Sequence, residues 1–301
     1  AGPLLALGQP PPTDSTLADT ARIWTDPAPS RRRGRAWGVG TALSGSYVLG
    51  MTGLSFAWFA DQGLEGWRFF NDWQQWQQID KVGHAYGAYQ GSRITHGLLR
   101  WAGPPRKKAL IWGGSAGLLM TFPIELLDGA SPAYGASAID LGFDALGSAL
   151  FVTNELAFQQ QVFRPKFSFW PTDYAAQRPE LLGSGLTEVL KDYNGQTYWL
   201  SVTVDGLLPP GKFKATFPDW LQLSVGYGGA GMIGGYGQDP QRVIDAREYR
   251  QYYISLDIDW QQIPTRRAGL KLLFAALNCI KLPFPAVRFQ RGGAQVLPIA
   301  F

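Results

Sequence analysis

Asp80-Lys81-Val82-Gly83-His84 stands where the chain turns from a tryptophan-rich polar stretch into a long run of small and apolar residues. The acid and the histidine are four apart, so on a helix they share one face. Two more junctions of this kind follow. Glu125-Leu126-Leu127-Asp128 closes a later apolar segment, and Asp140-Leu141-Gly142-Phe143-Asp144 opens the next. Only 17% of the residues are charged, yet carboxylates and one of the two histidines gather at the ends of three helix-like segments. That distribution predicts a helical bundle with a polar site at one end.

Working outward, four apolar helices are expected over 36–60, 80–102, 109–127 and 137–160, the first without a single charge over a length that matches the ~20 residues of a membrane span. Glycines recur four apart at Gly83, Gly87 and Gly91, and again at Gly113 and Gly117, a spacing that lets helix backbones approach closely. Basic residues alternate between the connections. Arg31 to Arg35 precede the first segment, Arg106-Lys107-Lys108 separate the second from the third, and Arg164 and Lys166 follow the fourth. Under the positive-inside rule this predicts four spans with both ends on the cytoplasmic side, and the ion-bearing helix ends together on the opposite face. Against full spanning, Arg93, His96 and Arg100 would lie at membrane depth, where each charge costs about 2.5–3.5 kcal/mol. A compact bundle resting on a membrane, with only the first segment inserted, meets that objection.

The rest of the chain divides around this bundle. Residues 1–36, rich in Pro, Thr, Ser and Arg, read as a flexible leader, and 1–9 resemble the small-residue exit of a secretory segment. Residues 37–165 hold the bundle. Residues 166–301 read as a smaller β-containing region, which starts in a loop-rich stretch at Lys166. Strands are expected over 198–204, 220–227 and 249–260, with a glycine-rich turn over 226–237 and a short apolar helix over 268–280. In the third strand Tyr252, Ile254, Leu256 and Ile258 alternate with Tyr253, Ser255, Asp257 and Asp259. Three strands are too few to close a membrane barrel.

Composition narrows the functions. A net charge of +4 is mild and spread out, which leaves no nucleic-acid footprint. Cys279 is the only cysteine, so neither an internal disulfide nor a cysteine zinc site exists. There is no phosphate-binding glycine loop and no nucleophile elbow.

Within the site, His84 is the candidate for proton transfer, with Asp80 to fix its tautomer or, on the plainer reading, to cap its helix. Glu125 follows Pro123 at the end of an apolar segment, so its carboxylate is expected to point inward towards Lys81, Arg93 or His84. Asp140 and Asp144 repel each other on one interior face unless a cation or shared proton intervenes. His84, Glu125, Asp140 and Asp144 together make an oxygen-rich set for a divalent metal. His96 reads as a packing residue, and Trp67, Trp73 and Trp76 as interface anchors.

The pattern Asp80-Lys81-x-x-His84, then Glu125 with Asp128, then Asp140-x-x-x-Asp144-x-x-Gly147 resembles the YfiM-like lipoprotein family of Gram-negative envelopes, over 72–161. It is similar, more distantly, to the VanZ-like membrane domain, which commonly has Asn near the position of Asp144. The resemblance implies export and a periplasmic or outer-membrane location, and brings no activity with it.

These readings converge on a membrane-associated envelope protein that contacts membrane lipid and other envelope proteins. As an enzyme it would hydrolyse or transfer a lipid or glycan headgroup, with Asp80, His84, Glu125, Asp140 and Asp144 at work. As a scaffold it would use the same cluster as a structural network. An ion conduit fits the row of acids but lacks inverted repeats.

Overall fold

The computed structural model describes residues 33–59, 66–132, 134–208, 218–234 and 248–301. The expected leader lies outside the described residues up to position 32, while 33–36 already belong to the first helix. Four long helices come first: α1 (Arg33–Phe59), α2 (Ile79–Ala102), α3 (Arg106–Gly129) and α4 (Ala138–Ala157). Among the described residues only Arg106–Gly129 is long and apolar enough to cross a membrane. The four helices stand where the apolar segments predict them, but the other three do not have the apolarity that four spans require.

The ends of α2 and α4 have local causes. Ser137 caps α4, its side chain accepting from the Asp140 N–H. Gly103 ends α2 at φ 90°, a left-handed conformation that glycine adopts without strain. Three consecutive non-glycine residues, Trp76, Gln77 and Gln78, take positive φ just before α2, a costly run that the surroundings hold in place. Tyr227 donates to the Gln77 carbonyl, and Gln78 Nε2 donates to the Trp73 carbonyl at 2.5 Å.

Small residues let α2, α3 and α4 pack almost backbone to backbone. A Cβ at Gly117 would sit 1.8 Å from the Ala88 carbonyl oxygen, and one at Gly147 would sit 2.0 Å from that of Ala85. Gly147 lies one turn beyond Asp144, and Ala85 adjoins His84. The close approach therefore brings the acid and the histidine together.

The C-terminal part is a six-stranded antiparallel meander in the order β1-β2-β3-β4-β5-β6. The strands are β1 (Phe163–Phe169), β2 (Gln196–Thr203), β3 (Leu221–Ala230), β4 (Tyr249–Ile258), β5 (Phe284–Gln290) and β6 (Gly293–Ala300), with helix α5 (Ala268–Leu277) before β5. Four of the six correct the sequence reading. The stretch from Lys166 opens no loop but continues β1, which runs across position 165. Helix α5 ends at Leu277, β5 starts inside the proline-rich segment at Phe284, β6 follows it, and β3 runs on through Gly226 to Ala230.

The sheet rolls up. Phe301, just past β6, stacks on Trp170, just past β1, with centroids 4.2 Å apart, and Ala300 packs with Trp199 of β2. Residues 279–281 pair with the free edge of β1 at Phe167. Alternation in a half-buried strand ordinarily puts the apolar side inward, and here it is reversed. In β4 Tyr253, Ser255 and Asp257 are buried while Tyr252, Ile254 and Leu256 are exposed. The inside is a polar core, with Lys166 Nζ 2.8 Å from Asp257 Oδ2, which also accepts from Ser201 Oγ at 2.7 Å. Helix α2 covers part of the apolar outer face, where Tyr86 meets Phe167 and Tyr198.

Candidate functional site

Five carboxylates and two basic side chains meet where α2 begins, α3 ends and α4 begins. His84 Nδ1 lies 3.2 Å from Asp144 Oδ1. A carboxylate accepts, so the ring proton sits on Nδ1 and Nε2 turns the other way. There Asp80 Oδ1 stands at 4.0 Å, and Glu125 Oε1 and Asp140 Oδ2 each at 3.9 Å. These are not hydrogen bonds. They are spacings that ligands of one ion adopt, since bonds of about 2.1 Å place ligand atoms between about 3.0 and 4.2 Å apart. The ligand atoms of Asp80, His84 and Asp140 all lie within 4.8 Å of one another.

Lys81 is wholly buried beneath this ring. Its ammonium pairs with Asp72, with Asp80 Oδ2 at 2.9 Å and with Asp140 Oδ1 at 2.6 Å. Ser137, at the start of α4, links α3 to the segment that precedes α2. Its N–H donates to Glu125 Oε2 at 2.9 Å and its hydroxyl to Asp72 Oδ1 at 2.8 Å. Tyr193, on the loop before β2, donates to Asp80 Oδ1 at 2.8 Å. Among the described residues four buried carboxylate oxygens lack a hydrogen-bond partner, Glu125 Oε1, Asp140 Oδ1 and Asp144 Oδ2 here and Asp259 Oδ2 in the sheet, and of these Asp140 Oδ1 is ion-paired with Lys81 and Asp259 Oδ2 with Arg164.

The charges do not balance. Burial alone would lower the His84 pKa, but the Asp144 hydrogen bond and the charges of Asp80, Asp140 and Asp144 override it and lift it to about 10. Burial and the charge of Asp80 push Asp140 up to about 8, against the opposing pull of His84 and Lys81. Burial opposes ionisation of Asp80 too, yet His84 and Lys81 keep its pKa below the usual carboxylate value. Too many acids share too few cations.

A cavity of about 540 Å³ opens over this ring. Asp72, Asp80, His84, Asp128, Asp140 and the exposed Arg68 form its polar end. Met51 and Leu54 of α1 with Tyr86, Ile124, Leu127 and Tyr198 form its apolar wall. The volume is in the ordinary range of small-molecule sites, roughly 300–1,000 Å³.

All five residues expected at the site converge, with changed roles. Asp144, not Asp80, orients the imidazole, and Asp80 faces the Nε2 side where Asp144 was expected among the ligands. Asp80 does not cap α2, whose N-cap is Gln78 without a side-chain bond. Of the three partners offered to Glu125, only His84 faces it. Lys81 serves other acids, and Arg93 is bonded to Gln90 and the Ala275 carbonyl. His96 packs on Phe151, away from the site. Asp72, Ser137 and Tyr193 were missed. Ser137 alone carried a local signal, as a serine three residues before an acid at a helix start.

Residues 64–155, which hold the ring, match the family described as predicted periplasmic lipoprotein (DUF2279). The description agrees with a cell-envelope location on the periplasmic or outer-membrane face. No curated protein and no solved structure matches the chain.

Proposed function

We propose that this envelope protein binds one divalent cation between His84 Nε2, Asp80 Oδ1 and Asp140 Oδ2, with Glu125 Oε1 beside the histidine, and uses it to hydrolyse or transfer a lipid or glycan headgroup. The observation that carries the reading is Glu125 Oε1, buried, unpartnered and aimed at His84 Nε2. A buried carboxylate oxygen left so costs about 1–3 kcal/mol, which a cation would recover. A cation in this ring would activate a water and polarise a phosphoryl or carbonyl oxygen. The amphipathic cavity supports a substrate with a polar head and an apolar body, and Arg68 at its polar end suits an anionic group. The YfiM-like and VanZ-like resemblance is compatible with such a membrane-side role.

One observation favours a packing network instead. Lys81 already pairs with Asp72, Asp80 and Asp140, so part of the charge of two proposed ligands is met without an ion.

The experiment is headgroup release from phosphatidylethanolamine and phosphatidylglycerol vesicles by the parent and by Glu125→Gln. The proposal expects release by the parent that chelator stops and Mn2+ or Zn2+ restores, and no release by the variant. Equal, chelator-insensitive background from both would end the enzymatic reading.

A further inference from the structure

The rolled sheet is built inside out, and this has no part in the site chemistry. Its alternating positions bury Gln222, Ser224, Ser255 and Asp257 and leave Leu223, Val225, Tyr252, Ile254, Leu256 and Phe289 on the outside, each at least 40% exposed. Register makes these six one patch. Val225 pairs with Ile254, Leu223 with Leu256, and Tyr252 with Phe289. Water favours the opposite arrangement, because each exposed apolar chain forgoes about 1.5–3 kcal/mol of burial. Hydrocarbon favours this one, because polar groups must then be satisfied within the sheet.

The interior meets most of that demand, with Gln222 Oε1, Arg164 Nε and Arg288 Nε left without a hydrogen-bond partner. Lys166, Asp257, Ser201 and Ser224 satisfy one another, and Arg164, Asp259 and Asn278 form a second set, with Arg164 Nη2 3.1 Å from Asp259 Oδ2 and Asn278 Nδ2 donating to Asp259 Oδ1 at 2.7 Å. Strands β3 and β4 are each 10 residues long, within the ~9–11 residues of strands that cross a bilayer. Exposed tryptophans stand beyond opposite strand ends, Trp170 after β1 and Trp220 before β3, as at membrane interfaces.

We infer that the outer face of β3, β4 and β5 lies against the acyl chains of a lipid bilayer. The sheet, rather than the helical bundle alone, then holds the protein at its membrane. Patches of this kind on soluble monomers are rare and mark protein or membrane contacts. The polar interior and the strand lengths select the membrane, because a protein partner requires neither.

The test uses the full chain in a Cys279→Ser background, with a single cysteine placed in turn at Val225, Ile254 and Leu256, and at Glu180 as an exposed control. Each is labelled with an environment-sensitive fluorophore and reconstituted into phosphatidylethanolamine–phosphatidylglycerol vesicles. The expected result is blue-shifted emission at the three sheet positions, quenched by acyl-chain doxyl lipid and not by aqueous iodide, with the reverse at Glu180. A companion variant, Val225→Lys with Ile254→Lys, keeps its melting transition in detergent but binds vesicles roughly tenfold less or weaker still. Iodide quenching at the sheet positions would overturn the inference. So would protection from both quenchers, whether from a second copy seen as a dimer by light scattering or from another segment of this chain in a monomer.

Discussion

Glu125 Oε1 lies 3.9 Å from His84 Nε2 with no hydrogen-bond partner. The separation is too long for a hydrogen bond and suits two ligands of one ion. Asp80 and Asp140 stand at matching distances from the same nitrogen, so the arrangement belongs to the ring and not to a stray pair.

Asp144 positions the imidazole rather than facing the ion. Asp144→Asn is expected to weaken cation binding about 10–100-fold, as for other outer carboxylates behind a histidine ligand. Titration calorimetry with Mn2+ or Zn2+ reads this directly, and an unchanged affinity would place Asp144 in packing only.

Lys81 pairs with three acids from full burial. Lys81→Met leaves them uncompensated and should cost about 3–5 kcal/mol in urea unfolding. The double variant Lys81→Met with Asp140→Asn should recover part of that loss, because it removes one of the stranded charges.

Gly147 has no room for a methyl group against Ala85. Gly147→Ala should destabilise by about 1–3 kcal/mol. It should also lower cation affinity, since pushing α4 away from α2 moves Asp144 from His84. Gly142, with open space around its Cβ position, provides the control, and Gly142→Ala should leave cation affinity unchanged and raise stability by about 0.5–1 kcal/mol, as in any helix interior.

The chelator-treated protein should lose stability as pH rises. His84 has a folded pKa of about 10 above its ordinary 6.5, so its contribution is complete below 6.5 and disappears by about 10. Asp140, raised to about 8 from 3.8, acts in the same sense, because its folded form holds the proton more tightly. The urea midpoint should therefore fall from about pH 3.8, where Asp140 begins to lose its share, to about pH 10, most steeply between 6.5 and 8 where both groups act, and His84→Ala should flatten the upper part of the fall. Saturating Zn2+ should flatten it too, with proton release on binding as the ion displaces the Nε2 proton.

Much of the site was legible because its members lie close together in the chain. Asp80 with His84, and Asp140 with Asp144, declare themselves by helical spacing, and Gly147 by its place one turn further on. Tyr193 reaches Asp80 across 113 positions through the loop before β2, and no local pattern encodes that contact. Lys81 is legible as a partner for a buried acid, but its pairing with Asp72, Asp80 and Asp140 rather than Glu125 is not. The helices were legible from long apolar runs. Strands β1, β5 and β6 were not, because Pro165, Pro285 and Pro298 interrupt their patterns. Two of these strands lie at the ends of the sheet order, and Pro285 sits at a register shift, places where a missing N–H is tolerated. The alternation in β4 disclosed a strand but not which side faces inward. Only the closure of the sheet around Lys166 and Asp257 decides that.

The most direct test of the central claim is elemental analysis of the full chain, purified in mild detergent without chelator, beside His84→Ala and Glu125→Gln variants of confirmed thermal stability. The account predicts close to one divalent ion per parent chain and almost none in either folded variant. A metal-free parent that also fails to take up Mn2+ or Zn2+ on dialysis would contradict it, and the ring would then be a packing network alone.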